Sequence, residues 1–397
     1  MDLSLACPEC AEPIGEGDLF CEACGTDLRV RRGGTAAALA LGPGPALGPG
    51  PAVGPGSEVG PGSALARAGG RPTPGAGEPC RRCGEPAPAP GAGAEDEYCP
   101  GCGLRRPDGT DRVETDLCAL AGVSDRGLAH ARNEDAMELG TRRFAGVAAV
   151  VCDGVSTVRS PERAAREAAK AALAVLLADS GAPATPGAPV TSRAVAARGG
   201  LLVRRAVAAA ATAVAELGDP GDRDAPSCTL VCAHLDHPDG PRSAPVITVG
   251  WVGDSRAYWL AGPGGAEPSR RLTTDHSWAT AMIEAGGLDE AEALADRRAH
   301  AITRWLGHHG EPEPDVVSWR PAGPGLLLLC TDGLWNYLPG AEQLADSLPP
   351  PEDGAGPLEI ARLLTGLALE AGGRDNITVV AVPVPAPADG PHGEETG

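Results

Sequence analysis

A single lysine, Lys170, serves a chain of 397 residues, and aromatic side chains make up only 3% of it. No GxxxxGK loop surrounds that lysine, so the phosphate-cradling signature of nucleotide-binding loops is absent and most kinase and ATPase designs are excluded. Basic residues are scarce relative to acids, 33 Lys and Arg against 53 Asp and Glu, for a net charge of −20. A surface of that sign repels nucleic acid and anionic membranes. No run approaches the roughly 20 apolar residues that a membrane-spanning helix needs. The opening MDLSLACPEC carries an acid and an early cysteine in place of a basic segment and an apolar core, which predicts no secretory leader. The expected location is therefore the cytoplasm. In that reducing compartment the 13 cysteines read as ligands or core residues rather than disulfides.

Glycine (56) and proline (40) are plentiful, and they are unevenly spread. Between Leu41 and Pro79, 21 of 39 residues are one or the other. Such a segment cannot bury enough surface to offset its ordering entropy, so 31–79 is expected to be a disordered linker. It separates two cysteine sets. Cys7, Cys10, Cys21 and Cys24 form CPEC and CEAC, and Cys80, Cys83, Cys99 and Cys102 form CRRC and CPGC. Paired C-x-x-C knuckles place four thiolates around a tetrahedral zinc ion, so 1–30 and 80–106 read as two zinc ribbons holding about two Zn²⁺. Five acids and no Lys or Arg lie between Cys7 and Cys24. That ribbon is suited to protein contact and not to a phosphate backbone.

The globular part is expected over 112–385, with a disordered tail at 386–397. Its organising stretch is the apolar run 147–152, which stops at Asp153-Gly154; a second run, 326–330, leads into Asp332-Gly333. Continuous apolar runs of this length predict strands buried on both faces, each delivering a rigidly held carboxylate at its end. Ser160-Pro161-Glu162 predicts a capped helix start, running to about residue 179. A second helix is expected over 193–217, weakened at Gly199-Gly200, and others over 278–284 and 357–370. The run 245–262 splits at Gly253-Asp254-Ser255-Arg256 into two apolar arms, which predicts a hairpin. Cys118, Cys152, Cys228, Cys232 and Cys330 sit in apolar segments and read as small buried hydrophobes. Strands interleaved with paired helices predict a layered α/β sandwich rather than strict βαβ alternation.

Five acidic motifs stand in order: RNEDAM, VCDGV, WVGDSRAYW, LCTDGLW and GGRDNITVV. Clustered carboxylates require cations to remain ionised together, and oxygen-only ligands favour magnesium or manganese over zinc. With these motifs, joined by TLVCAHL, LTTDHS and ITRWLG, the chain resembles the metal-dependent PPM-type (protein phosphatase 2C) Ser/Thr phosphatases of bacteria over about 116–384. The resemblance implies an α-β-β-α sandwich of two mainly antiparallel sheets flanked by helices, with two Mn²⁺ or Mg²⁺ ions between the sheet ends. It implies that Asp153 bridges both ions and the Gly154 carbonyl completes one shell. Asp332 and Asp375 hold the other ion, while Glu134 and Asp135 orient bound water. Asp254 matches a residue that serves a third, weaker ion, and Asn376 supports Asp375.

What the resemblance implies for function is hydrolysis of phosphoserine and phosphothreonine by a water activated at the binuclear centre, against the work of Ser/Thr kinases. Expected partners are phosphoproteins and those kinases, with no nucleic acid and no membrane. Two positions depart from the family pattern. His130 stands where many members carry an Arg that grips the substrate phosphate, with Arg132 two residues on, and a neutral imidazole grips less well than a bidentate guanidinium. Val155-Ser156-Thr157 replaces the Met-Gly-Gly usual in bacterial members. A non-catalytic phosphoprotein-binding adaptor and a phosphatase for small molecules remain alternatives.

Overall fold

The computed structural model describes residues 5–6, 13–14, 80, 83–86, 99–102, 111–142, 146–178, 191–219, 222, 224–237, 245–262, 267–307, 313–350 and 354–385. The first cysteine set, the segment 31–79 and the tail 386–397 lie outside these residues, apart from a short strand pair. That pair, β1 (Leu5–Ala6) and β2 (Pro13–Ile14), is antiparallel and belongs to a first unit, Met1–Thr73.

The second unit, Pro74–Gly397, contains the remaining elements. In chain order they are β3 (Arg112–Asp116), β4 (Ala121–Asp125), β5 (Ala136–Arg142), β6 (Gly146–Cys152), α1 (Pro161–Ala178) and α2 (Ser192–Ala215). Then come β7 (Leu230–Asp236), β8 (Val246–Val252), β9 (Arg256–Ala261), β10 (Arg270–Arg271), α3 (Trp278–Glu284) and α4 (Glu290–Ala295). The chain closes with β11 (Asp315–Trp319), β12 (Gly325–Cys330), α5 (Asp332–Trp335), α6 (Ala341–Asp346), α7 (Pro357–Glu370) and β13 (Ile377–Val384). A six-stranded sheet has the order β10-β9-β12-β13-β4-β3 and a five-stranded sheet the order β11-β8-β7-β6-β5. Every strand pair in both is antiparallel.

Side-chain alternation builds four layers from two sheets. On β6, Ala149 and Val151 join Leu327 and Leu329 of β12 in the core between the sheets. Their neighbours Ala148, Val150 and Cys152 face α1 and α2. On β12, Leu326, Leu328 and Cys330 face α7 and its flanking helices. Both strands are thus buried on two faces, which is why each reads as an unbroken apolar run. The shortage of aromatics is met by close approach. Ala164, Ala165, Ala168, Ala169 and Ala172 line the buried face of α1, and small side chains let that helix lie tightly on the sheet.

Several local expectations are corrected. The two arms around Gly253-Asp254-Ser255-Arg256 form no hairpin: β8 belongs to the five-stranded sheet and β9 to the six-stranded one, so the segment is a crossover between layers. Cys118, expected to be a buried hydrophobe, lies exposed in the turn between β3 and β4 with φ +62°. The other four cysteines named with it are buried. Ser160 has φ +51°, outside the extended region of a capping residue, and its carbonyl, not its hydroxyl, takes the Arg163 N–H at 3.0 Å. Helix α2 runs unbroken through Gly199-Gly200, because its buried face packs on the sheet and tertiary packing outweighs propensity.

Candidate metal centre

Antiparallel pairing places the end of one strand beside the start of the next, and the acidic motifs use this. The registers Ala136 to Cys152, Leu230 to Val252, Cys330 to Val379 and Cys330 to Arg256 bring together the ends of four strands in the five-stranded sheet and of three in the six-stranded one, where the motifs sit. Asp135 precedes β5, Asp153 follows β6, Asp254 lies in the β8–β9 crossover, Asp332 starts α5 and Asp375 precedes β13. These carboxylates act on one another through space. Burial, and then the charges of Asp135, Asp332, Asp375 and Asp254, push the Asp153 carboxyl well above the usual range. Burial and then Asp375, Asp254 and Asp135 do the same to Asp332. Asp135 is pushed up to about 7 mainly by burial, with Asp375 adding repulsion. Asp254 also reaches about 7, through burial and the neighbouring charge of Asp275. Glu134 is raised by burial as well. So the rim collects negative groups that a cation would relieve.

The fixed partners leave oxygens to spare. Asp135 Oδ2 accepts from the Thr331 hydroxyl at 2.9 Å and the Thr378 hydroxyl at 2.7 Å, while its Oδ1 is buried with no hydrogen-bond partner. An orphaned carboxylate oxygen among other raised carboxylates fits a hard divalent cation or the water it carries. Among the described residues, no three of these carboxylates bring oxygens within 4.8 Å of one another. The two Asp-Gly corners explain their own glycines. A Cβ on Gly154 would stand 2.7 Å from the Glu134 carbonyl oxygen, and one on Gly333 would stand 1.9 Å from that of Asn376. Each corner is therefore closed against another acidic motif.

Asn376 holds the rim as expected of a support. Its N–H donates to Asp375 Oδ1 at 2.8 Å, its Oδ1 accepts the Glu134 N–H at 2.7 Å, and its Nδ2 donates to the carbonyls of Arg126 and Arg132. His130 reaches the rim too, with Nε2 3.2 Å from Asp375 Oδ1, so the acids are not without an imidazole neighbour. Arg132 lies 3.5 Å from Glu162 and 4.0 Å from Glu134. Ser156, one of the departures from the family pattern, donates to Glu134 Oε2 at 2.7 Å. Sequence reasoning missed Thr331, Thr378 and Thr229, whose hydroxyl accepts the Asp153 N–H at 3.3 Å. Their one signal was a polar residue inside or at the end of an otherwise apolar strand.

The second cysteine set forms a separate cluster. Its four sulfurs lie within 4.8 Å of one another, with Cys80 to Cys102 at 3.6 Å and Cys83 to Cys99 at 3.5 Å. These separations far exceed a disulfide bond of about 2.05 Å. They approach the ~3.8 Å between sulfurs that tetrahedral Zn–S bonds of about 2.3 Å impose, so the four thiols fit zinc.

The comparisons agree with this geometry. Residues 7–107 match the family model described as double zinc ribbon. The serine/threonine phosphatase stp of Listeria innocua is 33% identical over 136 residues, 34% of this chain and 51% of the relative. Protein phosphatase PhpP of Streptococcus pneumoniae is 35% identical over 133 residues, 33% of this chain and 50% of the relative. PstP of Mycobacterium tuberculosis, a serine/threonine protein phosphatase, is 31% identical over 265 residues, 66% of this chain and 44% of the relative. The chain thus spans about half the length of the curated relatives it matches. Among solved structures, the serine/threonine phosphatase of S. agalactiae superposes with a TM-score of 0.52 at 24% identity, covering 67% of this chain and 98% of that one. The PPM Ser-Thr phosphatase MsPP of Mycobacterium smegmatis, in complex with cacodylate, gives 0.50 at 24%, covering 68% and 100%. The two-sheet sandwich is the fold of those phosphatases. The resemblance carried by the five acidic motifs is borne out.

Proposed function

We propose that the chain is a metal-dependent protein Ser/Thr phosphatase, a phosphoric monoester hydrolase that removes phosphate from phosphoserine and phosphothreonine in cytoplasmic proteins and so opposes their kinases. The observation that carries this reading is the convergence of Asp135, Asp153, Asp254, Asp332 and Asp375, four of them with raised proton affinity. Asp153, the Gly154 carbonyl, Asp332 and Asp375 would hold two Mn²⁺ or Mg²⁺ ions, with Asp254 serving a third. Bound there, divalent ions supply Lewis-acid polarisation of the phosphoryl group and acidify water. The chain's own groups do the rest. Thr331 and Thr378 occupy Asp135 Oδ2, which leaves Oδ1 to accept a proton from a water at the rim. Ser156 and the N–H bond to Asn376 fix Glu134 to orient that water. His130 and Arg132 flank the entrance with donors for the substrate phosphate. The two cysteine quartets, Cys7, Cys10, Cys21 and Cys24 with Cys80, Cys83, Cys99 and Cys102, would bind zinc as a ribbon arm for protein contact.

Hydrolysis of a phosphothreonine peptide by the full chain with Mn²⁺ tests the reading. Asp153→Asn should lower turnover by at least about 10²-fold, the scale of losing one electrostatic group at the reacting centre. Full activity in excess chelator, or near-wild-type turnover in Asp153→Asn, would overturn it.

A further inference from the structure

Asp254 differs from the other rim acids in standing on the crossover that joins the two sheets, two residues after β8 and two before β9. That loop is gripped by a buried imidazole. His276 Nδ1 accepts the Gly253 N–H at 3.0 Å, and the His276 N–H donates to the Gly253 carbonyl at 2.9 Å. Because Nδ1 accepts, the ring proton resides on Nε2, which donates to Asp315 Oδ2 at 3.2 Å. Trp251 lies over the ring with centroids 6.3 Å apart and planes 20° apart. Burial lowers the pKa of His276, which keeps the ring neutral and Nδ1 able to accept. Asp315 and Asp275 favour the proton and Arg304 opposes it.

The outer end of this arrangement reaches solvent. Asp315 and Arg304, 3.5 Å apart, line a cavity of about 630 Å³ together with Arg204, Trp251 and Thr274. Both wall arginines face carboxylates, Arg204 at Glu313 and Arg304 at Asp315, so the cavity reads as the open end of a support and not as an anion pocket. Neither LTTDHS nor the strand β11 that carries Asp315 belongs to the acidic motifs.

We propose that His276 and Asp315 are positioning residues, a strut that fixes the Gly253-Asp254 loop and thereby sets the affinity of the ion that Asp254 serves. The inference rests on the reading of the acid rim as a metal centre. The strut matters for Asp254 because β8 and β9 belong to different sheets, so no ladder between them closes the loop. A carboxylate displaced with its loop binds an ion more weakly without changing the ligands on the strand ends.

Manganese calorimetry on the full chain, with steady-state kinetics over a range of Mn²⁺, tests this. Asparagine places an acceptor near the Nδ1 position and glutamine one near Nε2. His276→Gln should therefore weaken the weakest class of manganese sites by about tenfold, the scale of one lost hydrogen bond and its strain. The tighter sites should be unchanged, and turnover should recover at high Mn²⁺. His276→Asn should bind within about threefold of wild type. A His276→Gln isotherm that superposes on wild type, or equal weakening in both variants, overturns the strut while leaving the metal reading intact. A wild-type protein that binds no manganese overturns both. Should His276→Gln fail to fold, the half-exposed end decides. Asp315→Ala should weaken the same sites about threefold, with recovery in Asp315→Asn, and no change in Asp315→Ala overturns the proposal.

Discussion

Stripping the metal with a chelator should make the second unit less stable as pH rises from 5 to 7, and added Mn²⁺ should reverse the trend. The sign follows from the rim. Asp135 and Asp254 are pushed from the ordinary carboxyl value up to about 7, and Asp153 and Asp332 are raised as well. Between the unfolded value near 4 and the folded one, the native state holds protons that the unfolded chain has lost, so stability falls as pH rises across this window. Each retained proton costs about 1.4 kcal/mol per pH unit, hence about 2.7 kcal/mol between pH 5 and 7. His276 acts in the opposite sense. Its lowered pKa means that the unfolded chain takes up a proton below about 6.5 that the native ring refuses, so its contribution rises with pH. One imidazole stands against four carboxylates, and the carboxylates win. Asp296, depressed to about 2, contributes stability that is lost only below about pH 4, outside the window. Manganese at a hundredfold excess over its dissociation constant adds about 2.7 kcal/mol, more at pH 7.5 than at pH 5, where protons compete. All six tryptophans lie between Trp251 and Trp335, so their fluorescence during urea unfolding reads this unit alone. A chelated protein whose stability is flat or rises over pH 5–7, or that ignores manganese at pH 7.5, would refute the account.

Three further outcomes are expected. Gly333→Ala should abolish activity and lower stability by several kcal/mol, since its Cβ would overlap the Asn376 carbonyl at 1.9 Å and neither backbone can yield; turnover and Tm of the variant check it. Leu328→Ala and Leu329→Ala should each cost about 2–5 kcal/mol, both being fully buried. Turnover at 10 °C should fall further for Leu329, which faces the other sheet, than for Leu328, which faces the helices. Cys99→Ala should remove about one zinc ion per chain while leaving phosphatase turnover within about threefold, and elemental analysis with a phosphopeptide assay settles both.

The parts of the fold that were legible are those whose signal is local. β6 and β12 announce themselves as apolar runs because two-faced burial removes alternation. Helix α7 begins at Pro357 and ends before a glycine pair, so its limits could be placed from Pro and Gly alone. The crossover at Gly253-Asp254-Ser255-Arg256 resembles a hairpin in sequence because a short polar turn between apolar arms looks the same in either case. Which sheet each arm joins is settled by strands distant in sequence. β11 escaped notice as a half-buried edge strand, and α4 and α6 as six-residue helices with one buried residue each. The acids were legible because five acidic motifs recur in order beside apolar runs, whereas any one of them alone reads as an ordinary turn. The threonines that hold Asp135 were not, since threonine is at home in any strand.

Placement of the rim acids also shows why two sheets are needed where one could carry five carboxylates. Asp135 and Asp153 belong to the five-stranded sheet, Asp332 and Asp375 to the six-stranded one, and Asp254 to the segment that joins them. The restraints on these residues run across the gap. Thr331 and Thr378 of the six-stranded side hold Asp135, and Asn376 takes the Glu134 N–H. Trp335 Nε1 donates to the Asp254 carbonyl at 3.0 Å, and the Arg256 guanidinium, itself paired with Asp275 at 2.6 Å, lies 3.6 Å from the Trp335 ring centre. Repulsion among the acids works to separate the sheet ends, while these cross-links and the apolar layer behind them resist it. Burial of Val151, Leu329 and Val380 between the sheets therefore fixes the span across which ions must be shared. A shift of about 1 Å there is enough to cost on the order of 10²-fold in a positioned reaction. The metal geometry of this chain is set in the inter-sheet core as much as at its rim.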